Sequence, residues 1–272
     1  MEKQTIIETS HGNIAINDMI GGGTPLLMIH ANSGCKEMFA FQTRALAGTR
    51  RLVSLDLPGH GVSSDAIDPR RTYSFGGYAE AIAEVLAKLG IGKVALLGHS
   101  LGGHIALDLV ARLDHVAGVM IFGTPPIPPG PEGAQLGFQP NPEMAYTGSS
   151  SLTDEQVEGV VAMALAPGAE RDLFYTSAVR RTDGRARQYM VEAVLAGTQI
   201  DQRHLVVTSP VPLAVVNGAD DPVINLDYID SLAYRSLWTA HPLRLAGAGH
   251  GPHWQRHQHF NELLRGFLGS LD

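Results

Sequence analysis

Gly98-His99-Ser100-Leu101-Gly102 is where residue type and spacing first suggest chemistry. A serine with glycine two residues away on each side fits a sharp strand-to-helix turn. Such a turn lifts the hydroxyl above a sheet and aims the free N–H groups of the following helix at the same point. Larger flanking residues would not fit where strand and helix cross. A serine hydroxyl is a poor nucleophile without a base and an orienting acid. Two later turns supply candidates, each after an apolar strand-like run. Asn217-Gly218-Ala219-Asp220-Asp221-Pro222 carries carboxylates, and Gly247-Ala248-Gly249-His250-Gly251 carries an imidazole. His250 is the candidate base. Asp221 is the candidate acid, because Pro222 biases it toward an extended backbone; Asp220 is the alternative, with turn capping as its plain role. The chemistry of such a set is acyl transfer through a serine ester. Its oxyanion needs amide donors, expected from Leu101 and from Asn32 in the loop His30-Ala31-Asn32-Ser33-Gly34. The Asn32 side chain either reaches the substrate or makes an ordinary Asx turn.

The elements that must position these residues can be read from the pattern. Thr5–Thr9 and Asn13–Ile16 flank His11-Gly12 as a hairpin. Continuous apolar runs at 25–29, 52–55, 94–97, 119–122 and 213–216, with a shorter stretch at 243–245, read as strands buried on both faces. Between them lie helical patterns, clearest in the face formed by Phe75, Tyr78, Ala79, Ile82, Leu86 and Leu89, with Glu80, Glu84 and Lys88 opposite. The alternation predicts an α/β fold, a mostly parallel central sheet with helices on both faces. It breaks after Phe122. Pro125-Pro126-Ile127-Pro128-Pro129 reads as a hinge, followed by three helical runs. The first is capped by Ser151 or Thr153 and stopped by Pro167-Gly168, the second follows Asp172, and the third runs from near Asp183 to Gly197. The expected organisation is a core of residues 1–123 and 207–272 with a helical cap of 124–206 inserted over the strand ends.

Composition narrows the function. The chain has 272 residues and a net charge of −7, so no basic stripe marks it for nucleic acid or an anionic membrane. Its 44% hydrophobic and 17% charged residues suit a large buried core. A lone cysteine, Cys35, excludes an internal disulfide or a cysteine-based zinc site, and reads as a packed thiol rather than a nucleophile. No apolar run approaches the length of a membrane span, and the N-terminus leads into no signal-peptide core. Together these point to a cytoplasmic protein without a cofactor, acting on a small molecule. Glycine is abundant, 31 residues, and several glycines surround the candidate Ser, Asp and His.

Other residues carry weaker signals. His250, His253, His257 and His259 cluster without a metal-ligand pattern, and read as solvated histidines on the last helix, with His253 and Trp254 near the pocket mouth. Arg180, Arg181, Arg185 and Arg187 read as a solvated cap face. Phe138, Met144 and Met163 suit either an acyl pocket or simple packing. Gly21–Gly23 precedes a strand, so it is a turn and not a phosphate loop.

Ile29-His30-Ala31-Asn32, Asp56-Leu57-Pro58-Gly59-His60-Gly61-Val62-Ser63, Gly98–Gly102, the Gly218–Asp221 turn and Gly249-His250 together resemble the α/β-hydrolase superfamily over nearly the whole chain. Within it, Ser10-His11-Gly12, 64–69, Gly123-Thr124-Pro125-Pro126, 181–187 and 214–218 are similar to the N-acylhomoserine lactonases of this fold. The resemblance implies a serine hydrolase with a Ser100–His250–Asp221 triad that opens an acyl lactone. Ala31, His99, Phe138, Met144, Val160, Met163 and Trp254 are the candidate substrate contacts. Three departures stand out. Ala31 replaces the usual glycine of the oxyanion loop, Asp221 stands where those lactonases carry Glu, and Val160 replaces a cap tyrosine that binds the lactone. A carboxylesterase or C–C bond hydrolase on the same triad is the alternative enzyme, and a ligand receptor retaining the pocket is the alternative class.

Overall fold

The computed structural model describes residues 2–166, 168 and 173–272. Eight strands form one sheet: β1 (Glu2–Thr9), β2 (Gly12–Met19), β3 (Leu26–Ile29), β4 (Leu52–Leu55), β5 (Val94–His99), β6 (Val116–Phe122), β7 (Leu213–Gly218) and β8 (Leu243–Leu245). Their spatial order is β1-β2-β4-β3-β5-β6-β7-β8. The β1–β2 hairpin is antiparallel, with Thr9 opposite Gly12, and β2 pairs antiparallel with β4. Every other pairing is parallel. The apolar runs in β3, β4, β5 and β7 are buried along their whole length, as strands covered on both faces must be.

Helices α1 (Ala40–Leu46), α2 (Pro69–Thr72), α3 (Phe75–Lys88) and α4 (Leu101–Arg112) connect the first six strands. In α3 the Ser74 side chain accepts the Gly77 N–H as an N-cap, and Phe75, Tyr78, Ala79, Ile82 and Leu86 face the core as their spacing predicts. One apolar cluster lies on this side of the sheet. A second, built on Leu26, Met28, Leu97, Met120, Phe122 and Val216, is sealed by Phe260, Leu264 and Phe267. Those last three belong to α12 (His257–Gly269), which follows α11 (Pro252–Gln255).

Between β6 and β7 the chain forms α5 (Pro131–Gly137), a 3-10 turn at Pro142–Gly148, α6 (Asp154–Met163), α7 (Leu173–Arg181), α8 (Gly184–Leu195) and α9 (Gln202–Thr208); α10 (Leu226–Asp230) follows β7. This is the inserted helical cap. Thr153, not Ser151, caps α6, exchanging bonds with Gln156 in a capping box. Asp183 caps α8 by accepting the Arg185 N–H. The expected stop at Pro167 and start at Asp172 fall on residues outside those described. Short α5, the 3-10 turn and α9 were not anticipated.

Two sequence expectations need correction. Arg187 is not solvated. It is buried, and its guanidinium donates to the carbonyls of Ser149, Val179 and Thr182. Its three neighbours do face carboxylates, Arg180 meeting Asp154, Arg181 meeting Asp65, and Arg185 meeting Asp183 and Asp65. His253 is also not a solvated residue of the last helix: it lies in α11, with no exposed surface, ringed by Phe39, His99, Phe122 and Phe260.

Candidate active site

Ser100 sits between β5 and α4 with φ 51 and ψ −114, a left-handed conformation that a non-glycine residue adopts only under constraint. The constraint is close packing. A Cβ on Gly102 would collide with the Ile29 carbonyl, and one on Gly98 would lie 2.5 Å from the Gly102 carbonyl oxygen. The Ser100 N–H donates to the Phe122 carbonyl at 2.9 Å, and the Thr124 hydroxyl donates to the Ser100 carbonyl at 3.0 Å. Leu101 opens α4, so its N–H has no partner one turn back in the helix.

Asp221 and His250 follow β7 and β8, neighbours in the sheet. Gly218 lets these turns touch, since a Cβ there would strike the carbonyls of Ala248 and Gly249, and Gly249 in turn leaves room for the Leu165–Ala166 backbone of the cap. His250 Nδ1 lies 2.8 Å from Asp221 Oδ2, and both side chains are buried. The other Asp221 oxygen, Oδ1, accepts the N–H groups of Val223 and Ile224 at 2.8 and 3.3 Å. Those bonds fix the carboxylate so that Oδ2 is placed to accept the His250 Nδ1–H. Asp220 is exposed and accepts the Gly247 N–H at 3.0 Å, which makes it the clamp between the two turns.

Beneath His250 lies a second tier of imidazoles. His99 Nε2–H donates to the His250 carbonyl at 2.8 Å, and its ring stacks on Phe122. Burial, with His253 and His250 nearby, drives the His99 ring well below its usual pKa. His253 is pushed down to about 3, by burial first and then by His250. Both rings are neutral, buried struts. Among the described residues no three His, Cys, Asp or Glu side chains converge as a metal site.

A cavity of about 400 Å³ opens above Ser100. It lies between the strand ends and the cap, within the size range of small-molecule sites. Ala31, Asn32, His99, Leu101, Phe138, Met144, Val160, Met163 and His250 all line it. Trp254 does not; it stacks on Phe174 and meets Phe41 and Tyr175 edge-on, bracing cap against core. Nor is the Asn32 carboxamide open to a ligand through its nitrogen, which donates to the Thr147 carbonyl in the cap at 3.0 Å. The wall also includes Met38, Phe75, His104, Tyr175, Met190 and Val223, which sequence reasoning missed. Met190, Val191, Val194 and Leu195 follow a helical apolar spacing that would have revealed the α8 face. His104, held at about 4 by burial, stacks on Phe75 and pairs through Nδ1 with Gln202 Oε1 of α9 at 2.7 Å. Cys35 is buried directly after the His30–Gly34 loop, and burial pushes its thiol up, so it is inert.

Comparison with known proteins agrees with this architecture. A family model described as "alpha/beta hydrolase fold" matches residues 24–257. The solved structure of the N-acyl homoserine lactonase AidH, complexed with N-butanoyl homoserine, aligns with a TM-score of 0.94 and 39% identity over 99% of this chain and 97% of that one. A mutant of the same lactonase complexed with N-hexanoyl homoserine lactone aligns with a TM-score of 0.94 and 39% identity, covering 99% of this chain and 98% of that chain. A 2-hydroxy-6-oxononadienedioate/2-hydroxy-6-oxononatrienedioate hydrolase of Pseudomonas sp is 25% identical over 95% of this chain and 92% of its own length.

Proposed function

Because the chain belongs to the alpha/beta hydrolase fold family, we propose that it is a serine hydrolase that opens N-acyl homoserine lactones, with Ser100, His250 and Asp221 as its triad. The observation that carries this reading is the 39% identity, over nearly the full length of both chains, to a lactonase complexed with N-butanoyl homoserine. The site supports it, since an apolar cavity beside Ser100 suits a neutral acyl lactone.

In the proposed reaction His250 takes the Ser100 hydroxyl proton as Oγ attacks the lactone carbonyl, while Asp221 holds the imidazole and stabilises its positive charge. The amides of Asn32 and Leu101 receive the oxyanion. Collapse breaks the ring C–O bond, and His250 gives its proton to the leaving alkoxide, which stays tethered to the acyl-enzyme by its own chain. His250 then deprotonates a water that attacks the ester. Ser100 leaves with the proton, and one water has been added to give the acyl-homoserine.

The C–C bond hydrolase reading is weaker on physical grounds. The Pseudomonas sp relative is named for a dicarboxylate, which needs cationic partners when buried. Among the described residues no Lys or Arg lines this cavity. The division into a core of 1–123 and 207–272 and a cap of 124–206 belongs to the same proposal, supported by the run of helices between β6 and β7. No helix among the described residues is long and apolar enough to cross a membrane. A cytoplasmic site of action fits a neutral lactone, which crosses membranes unaided.

The test is mass spectrometry of an acyl-lactone panel incubated with wild type and Ser100→Ala. Wild type adds one water to at least one lactone and Ser100→Ala adds none. If every lactone survives wild type unchanged, the lactonase reading is wrong even if simple esters are cleaved.

A further inference from the structure

The loop that carries Asn32 is anchored in a way that sets the direction of one peptide unit. His30, directly after β3, has no exposed surface. Its Nε2 accepts the Leu57 N–H at 3.0 Å, and its Nδ1 lies 2.7 Å from the Ala31 carbonyl oxygen. An amide can only donate and a carbonyl can only accept, so these two partners leave one tautomer, neutral with the proton on Nδ1. Burial, which lowers the ring pKa, acts in the same direction.

The Ala31 carbonyl therefore takes two donors, His30 Nδ1–H and the Gly34 N–H at 3.0 Å. The peptide between Ala31 and Asn32 is planar and trans, so its N–H points opposite to its C=O. His30 lies off the cavity, against Leu57 and the His60 ring, whereas Ala31, Asn32 and Ser33 line it. Turning the carbonyl toward His30 turns the Asn32 amide toward the cavity. The Gly34 bond alone is a weak guarantee of that direction. It closes a tight turn in which Ser33 sits at φ 60, a conformation that favours glycine.

We propose that His30 is the positioning residue of the oxyanion peptide, holding the Ala31 carbonyl so that the Asn32 amide faces the reacting carbonyl. The proposal rests on the reading of Asn32 as an oxyanion donor. The competing role is purely structural, a tie between the ends of β3 and β4 through Leu57.

Two substitutions separate the roles, because each keeps one bond. In His30→Asn the carboxamide nitrogen takes the place of Nδ1 and still serves Ala31, while Leu57 loses its acceptor. In His30→Gln the longer side chain brings its oxygen to Leu57, and Ala31 loses its donor. Steady-state lactone hydrolysis, measured well below each variant's Tm, is expected to show kcat within about fivefold of wild type for His30→Asn. His30→Gln is expected to lose about 100-fold in kcat with KM nearly unchanged, the mark of a lost oxyanion donor. Equal losses in the two variants, or a larger loss in His30→Asn, would overturn the proposal. A measurement on wild type covers failure of the variants to fold: 15N NMR is expected to show a neutral, Nδ1-protonated His30, and an Nε2-protonated ring overturns the idea. If wild type opens no lactone yet a fluorophosphonate labels Ser100, the lactone reading fails alone. The two variants are then compared by labelling rate, with the same ordering expected.

Discussion

On the floor of the cavity, Ser100, Asp221, His250 and the Ala31–Asn32 loop all follow the carboxyl ends of strands, and backbone packing sets their positions. Gly98, Gly102 and Gly218 remove the Cβ atoms that would push neighbouring turns apart. The roof is held differently. Part of its polar attachment lies at the corner between α7 and α8, where Tyr73 Oη donates to Asp183 Oδ2 at 2.7 Å, the Asp183 N–H donates to the Gly59 carbonyl at 2.8 Å and Arg181 donates to the Ser63 carbonyl at 2.7 Å. Elsewhere the roof presents interchangeable apolar side chains such as Met144, Val160, Met163 and Met190 to the cavity. A floor built on backbone tolerates little change without loss of chemistry, whereas a roof of side chains can change its contents and alter only what binds.

The sharpest way to break that contrast is at the acid. Asp221→Asn is expected to lower kcat for lactone hydrolysis by about 10³- to 10⁴-fold, by analogy with other triads. Asp220→Asn should stay within about threefold, because its carboxylate clamps a turn and does not touch His250. Equal effects would mean that the floor is less exacting than its geometry implies.

A second floor prediction concerns acid stability. His253 has a folded pKa of about 3, below its unfolded value near 6.5. Its contribution is fully present above pH 6.5 and fades as pH falls toward 3, since the unfolded chain takes up a proton that the folded ring refuses. Its two ring nitrogens make no hydrogen bond of normal geometry. His253→Phe should therefore weaken the acid loss by about 2 kcal/mol between pH 7 and pH 5, read from denaturant unfolding at both values. An unchanged pH slope would show that this ring is hydrated or protonated when folded.

On the roof, Met144→Trp is expected to raise KM about tenfold for long-chain acyl lactones while leaving kcat for short chains within a few-fold. A fall in kcat for every chain length would show that roof and floor are not separable. The smallest effect expected on activity is from Tyr73→Phe, which removes one cap-to-core bond and the acceptor of the Ala66 N–H. It should lower stability by about 1 kcal/mol, a shift of a few degrees in Tm by calorimetry, with kcat unaffected.

Legibility in the amino-acid sequence follows the same division. The strands, the Ser100 turn and the Asp221 and His250 turns can be read because each depends on neighbours a few residues away. Glycine spacing, a following proline and unbroken apolar runs are all local. The α6 capping box is equally local, and Thr153 with Gln156 announces it. Arg187 and His253 were misjudged because their burial depends on distant partners. The carbonyls that receive Arg187 come from Ser149, Val179 and Thr182, and the rings around His253 come from four separate parts of the chain. Trp254, expected at the pocket mouth, braces Phe41, Phe174 and Tyr175 instead, partners that lie far from it in the chain. Short α5 and the 142–148 turn begin at prolines and carry no apolar period, so nothing announced them.

The bond from the Asn32 carboxamide to the cap joins floor and roof at the His30–Gly34 loop, and its acceptor is the carbonyl of Thr147, not its side chain. Any residue offers that carbonyl. Position 147 is therefore free to drift in sequence, and the cap lining can diversify toward new acyl chains over generations. The tie that keeps the cap in step with the Asn32 loop is inherited through the backbone and survives those changes.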